Sequence, residues 1–353
     1  MVAYGFINLK NIFTERLADS NIQMVSEAIA ASVTEHNRQI DALLGLFATP
    51  TEDYKVRYAQ LGANRLQPLD ENGRARPVIP SGYYDVAFPI RDAGTAWGAT
   101  FKARELMTVA DADRITAMMT NGDAIWLRDQ LMAALFASVT YSYTDDAYGA
   151  LTIQPLANGD SVTFLRSGSL VAAQDTHQLA QASAIADATD PYPGIYTELT
   201  EHPENSGEVI VLIASDLVAT TKALTGFHEA SDPNIAYGNA SDRLVGTFGT
   251  AIPGKLLGYH DAGVWIAEWS SIPSTYWIAT MTGGERPLAM REYPKDTLKG
   301  FVQIPDDRNN HPFYERQYVR YAGFGGWNRI GAAVGRIGNG TYAVPTGYTP
   351  PIV

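Results

Sequence analysis

Six histidines, a few acidic pairs and one glycine–lysine loop are the residues of this chain that could do chemistry. Gly249-Thr-Ala-Ile-Pro-Gly254-Lys255 has the spacing of a loop that cradles a phosphate, but Leu256 stands where Ser or Thr would hold magnesium. The residues that follow read as a strand, so no helix N-terminus faces the loop. His36, His177, His202, His228, His260 and His311 include no pair at the spacing of a helical metal site, and they read as structural histidines. Asp111-Ala-Asp113 opens like a calcium loop. Thr116 then occupies the place of the turn glycine, and Gly122 that of the closing glutamate. Helix capping accounts for both carboxylates. Asp306-Asp307 could be half of an acid–base pair, but no partner can be named and the flanking Arg308 and Asn309-Asn310 suggest a loop. No Gly-x-Ser-x-Gly elbow occurs. The pattern predicts no enzyme, no cofactor and no metal, although a dispersed triad leaves no local signature.

Composition narrows the remaining classes. The chain has 353 residues, two or three structural units at ordinary domain size. It has no cysteine, which excludes disulfides, thiolate metal sites and a cysteine nucleophile. With 26 Lys+Arg against 38 Asp+Glu the net charge is −12, the wrong sign for coating the surface with nucleic acid. Charged residues are 18%, below the ~25% of an average soluble domain. Aromatics reach 10%, with 19 tyrosines. Few charges and many aromatics suggest that much of the surface is covered, for instance by other copies. No stretch is apolar enough for a membrane span, and Met1 to Leu9 lacks the basic start of a signal peptide. A soluble, non-exported chain is expected.

The elements that would carry these residues follow from spacing. Asp19 or Ser20 can cap an amphipathic helix to about Ala48, packed on its own domain or reaching to a neighbour. From Leu66 to Glu105, Asn72-Gly73 signals a turn, Val86, Phe88 and Ile90 alternate, Asp92 to Gly94 turn, and Thr100 to Arg104 alternate again. This hairpin excursion carries too few apolar residues to support itself; it lies on its own domain or projects onto another subunit. Thr108 and Asp111 open a helix that pauses at Asn121-Gly122-Asp123 and resumes as Ala124 to Val139, apolar on two faces. Asn158-Gly159 signals a second hairpin, between Leu151–Leu156 and Ser161–Leu165. Val209 to Ala214 reads as a buried strand, and Ser215 or Asp216 caps a short helix to Leu224. Strands follow at 256–259, 264–267 and 276–279, then at 313–321 and 330–337.

The last third carries a more specific signal. Pro287-Leu-Ala-Met-Arg291-Glu292-Tyr-Pro294 is followed by Asn310-His-Pro312-Phe313. Then come Tyr318-Val-Arg320-Tyr321-Ala-Gly323-Phe324-Gly325-Gly326-Trp327-Asn328-Arg329 and Gly331-Ala-Ala-Val. This string resembles the C-terminal part of the major capsid proteins of tailed bacteriophages, and the order of elements along nearly the whole chain is similar to theirs. The resemblance implies an α+β HK97-type shell fold with an N-terminal arm, an extended β-hairpin loop, a peripheral domain with a long spine helix, and an apical domain. It places the arm at 1–65 and the loop at 66–107. The peripheral domain falls at 108–145 and 285–345, the apical domain at 146–284 and a tail at 346–353.

The function so implied is a structural subunit that self-assembles as hexamers and pentamers into an icosahedral capsid enclosing packaged DNA. It would be a virion component, assembled in the host cytoplasm, with a portal and decoration proteins as further partners. Only about 65 residues precede the loop and they are not strongly charged, so the resemblance implies a separate scaffolding protein or none. Lys102 is the only lysine of the loop, and no crosslink is predicted from it. Candidate contacts between subunits are Tyr83, Tyr84, Trp97 and Trp327, which offer area at low entropy cost, with Arg74, Arg76 and Arg329. Burial in their own subunit is the competing reading for the aromatics, and solvation for Arg74 and Arg76. An encapsulin-type compartment shell is the neighbouring alternative. A glycan-acting hydrolase with a dispersed carboxylate site is the alternative of another class.

Overall fold

The structure, a computed structural model, describes residues 22–59, 68–75, 82–100, 106–169, 172–230, 252–304 and 313–352. In chain order its elements begin with α1 (Ile22–Leu44), β1 (Ala48–Thr51), β2 (Lys55–Ala59), β3 (Tyr83–Ala87), β4 (Arg91–Thr100) and α2 (Val109–Phe136). They continue with β5 (Tyr141–Asp145), β6 (Gly149–Ile153), β7 (Asn158–Phe164), β8 (Ala173–Thr176), β9 (Gln178–Gln181), α3 (Tyr192–Thr200) and β10 (Ser206–Ile213). The remainder are α4 (Val218–Lys222), β11 (Phe227–Glu229), β12 (Lys255–His260), β13 (Val264–Glu268), β14 (Tyr276–Gly283), β15 (Leu288–Glu292), β16 (Phe301–Ile304), β17 (Phe313–Gly326) and β18 (Ala332–Ile337). The class is α+β.

Contacts divide the chain into two units. The first draws on residues 1–41, 90–129 and 292–322, the second on 42–89, 130–291 and 323–353. The expected loop, 66–107, is thus shared between them and not a separate piece.

In the first unit, β17 pairs antiparallel with β4 from Ala322↔Arg91 to Phe313↔Thr100, and on its other side with β16. Asp92 to Gly94, expected to turn, lie inside β4, because β17 offers a ladder along its full length. Ile29 and Val33 of α1, with Ile115 and Trp97, pack on the buried Met119, Phe301 and Tyr318. The described part of the N-terminal helix therefore rests on its own chain. Asn37 fixes it: its side chain accepts from the Phe301 N–H at 2.9 Å and donates to the Phe301 carbonyl at 3.1 Å.

α2 starts on a reciprocal cap. Asp111 accepts from the Thr108 N–H and hydroxyl, and Thr108 Oγ1 accepts from the Asp111 N–H. The helix then runs unbroken for 28 residues, through the pause expected at Asn121-Gly122-Asp123. Gly122 has ordinary helical backbone on an exposed face, and the Asp123 side chain is engaged elsewhere in the unit, so neither residue competes for the helix's hydrogen bonds. The helix ends at Phe136, not Val139. There the Phe136 carbonyl accepts from the Tyr342 hydroxyl and the Ala137 carbonyl from Gln178.

The second unit is built on a mixed seven-stranded sheet in the order β11-β12-β13-β10-β14-β18-β9. Val209 to Ile213 of β10 are at most 1% exposed, as a continuous apolar run at the centre of a covered sheet requires. Tyr192, Ile195 and Leu199 of α3 cover one face. Several local expectations change here. Asn158-Gly159 opens β7, which pairs with β8, and β6 pairs with β5 instead of forming a hairpin across that dipeptide. The Asn158 side chain is held by the Ser138 carbonyl and by Arg329, which removes it from turn chemistry. Asp216 does not cap α4; it accepts from Ser274 Oγ and the Thr275 N–H. Residues 86–88 of the expected loop belong to this unit's interior, with β3 paired to β2 and Val86 and Phe88 fully buried.

Because a methyl group at Gly122 meets no atom within 4 Å, Gly122→Ala should stabilise the chain by about 0.5–1 kcal/mol through helix propensity. A raised thermal midpoint in a melting scan checks this.

Candidate functional site

For a chain without a catalytic signature, the candidate sites are its free surface and its buried polar centres. Arg74 is exposed on a turn whose geometry is local: Asp70 Oδ1 accepts from the Asn72 and Arg74 N–H groups, and Gly73 sits at φ +72°, where glycine is at ease. Arg76 lies outside the described residues. Tyr83 is 62% exposed at the start of β3. The other candidates are held by their own chain. Tyr84 stacks on Tyr58 at 5.5 Å and meets Phe164 edge-on. Trp327 stacks on Phe88 and donates to Glu285 at 3.3 Å. Trp97 packs on the Met119–Phe301–Tyr318 cluster. Arg329 is 1% exposed and donates to the Pro155 carbonyl, Asn158 Oδ1 and Asp160 Oδ2 at 2.8–3.0 Å. Tyr58, Tyr84, Phe164 and Trp327, with Glu204 and Glu285 at the polar side, line a cavity of about 530 Å³.

Two arginines of the C-terminal string centre buried ion pairs. In the first unit Arg320 grips Asp123 with both arms, Nε to Oδ1 at 2.6 Å and Nη2 to Oδ2 at 2.7 Å, with both side chains 2% exposed. His36 Nε2 lies 2.8 Å from the same carboxylate and Asn37 Oδ1 accepts from Arg320. Burial pushes the Asp123 pKa up, but the bonds from His36 and Arg320 outweigh it and hold the carboxyl below its ordinary value. In the second unit Arg291 donates to Asp145 at 2.7 Å and to the Phe88 carbonyl. Asp145 also accepts from the Ala147 and Tyr148 N–H groups, and it too is held low against its burial.

A third centre escaped the helical spacing test. Asp175 on β8, His177 just after it and His202 after α3 converge in the second unit, all buried. His202 Nε2 lies 2.8 Å from Asp175 Oδ2 and 3.2 Å from His177 Nε2. Burial and the neighbouring His202 push the His177 pKa down to about 4. Burial also opposes charge on His202, yet Asp175 and the Leu165 carbonyl outweigh it and raise its pKa. Glu198 and Glu201 stand on the rim with Arg166; burial, then the Asp175 charge, push Glu198 up to about 7. The sequence signal was Asp175-x-His177: residues two apart on extended backbone share a face, and a strand, not a helix, was the element to test.

The remaining chemistry candidates stay apart. His228 pairs with Asp261 at 2.8 Å on the surface and His260 lies 3.2 Å from Asp190. Lys255, the last residue of the phosphate-like loop, opens strand β12, and Gly254 takes φ +92° against the Glu268 backbone. His311 and Asp306-Asp307 lie outside the described residues.

The chain superposes on a solved structure titled "Mycobacterium phage Patience" with a TM-score of 0.69 and 18% identity, over 99% of this chain and 98% of that one. Two looser likenesses fall below a TM-score of 0.5. "Capsid of empty GTA particle computed with C5 symmetry" gives 0.48 at 12% identity, over 85% of this chain and 90% of that one. "Crystal structure of virus-like particle from Pyrococcus furiosus" gives 0.41 at 9%, over 87% and 98%. No protein-family model and no curated protein matches the chain. The full-length likeness shows the fold: it is the α+β HK97-type shell fold that the C-terminal string implied.

Removing one partner of a buried pair strands the other charge, so Asp123→Ala should cost about 3–5 kcal/mol in a urea titration. The pH dependence has a definite sign. Asp123 and Asp145 have folded pKa values below their unfolded ones, so their contribution is complete above about pH 4 and is lost as pH falls further toward the folded values. Unfolding midpoints measured from pH 7 to pH 2.5 should drop below about pH 4, and Asp123→Asn should flatten that drop.

Proposed function

We infer that this chain is the structural subunit of a closed protein shell, a major capsid protein that assembles through many copies of itself around packaged DNA. The observation that carries the inference is the shared fold over 99% of the chain with the structure titled "Mycobacterium phage Patience". Surface chemistry supports it. Leu69, Tyr83, Leu106, Met118 and Val139 are each more than half exposed, an apolar load that contact with further copies would cover. A subunit of this kind needs no strong single interface. Several contacts of ordinary size close on one another, and a copy leaves only when all break together. Among the described residues no helix is long and apolar enough to cross a membrane.

Arg74 and Tyr83, each exposed, are our candidates for the contact made by the extended loop. Arg74 offers a bidentate donor on a flexible stem and Tyr83 a flat face with two rotatable bonds. Scaffolding, portal and decoration proteins would be the other partners. The acidic balance, net −12, suits a wall that encloses DNA without gripping it.

Electron microscopy of the purified chain, or of particles from its source, should show closed icosahedral shells. A small oligomer of fixed size under all assembly conditions would overturn the reading, and enzyme cargo in place of DNA would move it to a compartment shell. Excising the exposed tip, residues 69–75, should leave the thermal midpoint within about 2 °C because nothing buried is lost, yet prevent stable shells. Removal of 72–98 is not an equivalent test, since it takes out the buried strand residues Val86 and Phe88.

A further inference from the structure

We propose that Asp175, His177 and His202 bind a divalent transition-metal ion, zinc being the ion their donor set fits, with Glu201 beside them on the rim. The three donor atoms are Asp175 Oδ2, His177 Nε2 and His202 Nε2, separated by 2.8, 3.2 and 3.9 Å. The point equidistant from the three atoms is about 2.0 Å from each, the length of a Zn–N or Zn–O bond, but lies in their plane; a tetrahedral ion needs Asp175 Oδ2 and His177 Nε2 to close from 3.9 Å toward about 3.3 Å. The nitrogen separation, 3.2 Å, is close to the about 3.3 Å that two imidazoles span on one tetrahedral zinc.

The rings are oriented for the task. His177 Nδ1 lies 2.9 Å from the Ala332 carbonyl and His202 Nδ1 2.9 Å from the Leu165 carbonyl. A carbonyl can only accept, so each Nδ1 must donate. In its neutral form each ring then presents the Nε2 lone pair to the other ring and to a carboxylate. The two Nε2 atoms and the carboxylate can share a proton or hold a metal ion in its place, and the backbone carbonyls are the outer partners that metal-binding histidines use. Asp175 Oδ2 and Glu201 Oε1 are both buried, with His202 Nε2 at 2.8 Å from the first and Arg166 Nε at 3.2 Å from the second. Asp175 keeps its second oxygen on Arg166 at 2.8 Å, which aims Oδ2 at the rings. Three carboxyl groups, those of Asp175, Glu198 and Glu201, surround the single guanidinium of Arg166, a setting rich in oxygen acceptors for a cation.

Nitrogen and oxygen donors without thiolate suit zinc among the first-row ions. With both rings and Asp175 buried, the donors are closed off from solvent and the ion is structural. It would tie β8 and the start of β9 to the exit of α3. The ion enters from the rim, where the Arg166 side chain is 36% exposed and that of Glu201 21%.

The test uses the full-length chain stripped with chelator and titrated with Co²⁺, then Zn²⁺. One equivalent of cobalt per chain with the visible bands of tetrahedral ligation, displaced by Zn²⁺, is expected. Zinc at about 100-fold over its dissociation constant should raise the thermal midpoint by about 5 °C. Asp175→Asn and His202→Gln should each weaken binding at least about 100-fold, and His228→Asn should leave it unchanged. A folded wild-type chain without cobalt bands overturns the proposal and leaves a shared proton as the occupant. So does binding that survives Asp175→Asn and His202→Gln. If those variants do not fold, nitrogen NMR of the wild type decides. Shifts of both Nε2 resonances on adding zinc support the site, and unmoved resonances overturn it. Shell assembly is not read in any arm, so failure here would leave the capsid reading standing.

Discussion

The packing of this chain depends on one constraint: buried arginines must be met by acceptors from remote parts of the sequence. Arg291, Arg320 and Arg329 are at most 5% exposed. A guanidinium taken out of water costs several kcal/mol unless acceptors meet it, and although Arg291 Nε and Arg329 Nη1 meet none among the described residues, the partners of the other donors are specific. Arg320 closes on Asp123, 197 residues away, with both donors engaged. Arg291 reaches Asp145 and the Phe88 carbonyl. Arg329 reaches the carbonyl of Pro155 and the side chains of Asn158 and Asp160. Each unit therefore cannot close until its C-terminal strands have found segments made much earlier. Such pairs select one arrangement over near neighbours more than they add net stability.

That arrangement explains the division of labour within the C-terminal string. Its arginines are internal fasteners, and its Trp327 is a packing residue against Phe88. The free surface lies elsewhere, on the turn around Arg74, on Tyr83 and on scattered apolar residues such as Met118 and Val139. Under the shell reading proposed above, this separation would matter: a rigid body would let many weak contacts add up, while contact residues would stay available until a neighbour arrived. The interior polar centres, including the Asp175–His177–His202 group, belong to the rigid part.

Legibility in the sequence followed the range of the forces involved. The apolar run Val209 to Ile213 announced a central strand, because five consecutive apolar residues can only be covered on both faces. The Thr108–Asp111 cap and the Asn72-Gly73 turn were readable because both bonds close within four residues. Asn158-Gly159 misled for the opposite reason: Arg329, far away in sequence, recruits the asparagine and β8 recruits the strand. Asp92 to Gly94 look like a turn in isolation but lie along β17. The buried histidine pair was invisible, since no local rule brings residue 177 to residue 202.

By itself the sequence determined the character of the protein: an acidic chain without cysteine or local catalytic motif, mixed in secondary structure, with a C-terminal string that resembles those of tailed-bacteriophage capsid proteins. These are properties of composition and short spacing, fixed before folding. The tertiary structure alone decided which aromatics and arginines are internal, that α2 runs unbroken, and that two histidines and an aspartate meet. Those outcomes depend on burial and on charge pairing across more than a hundred residues in several cases. Dielectric environment, unlike residue type, does not exist until the chain has closed.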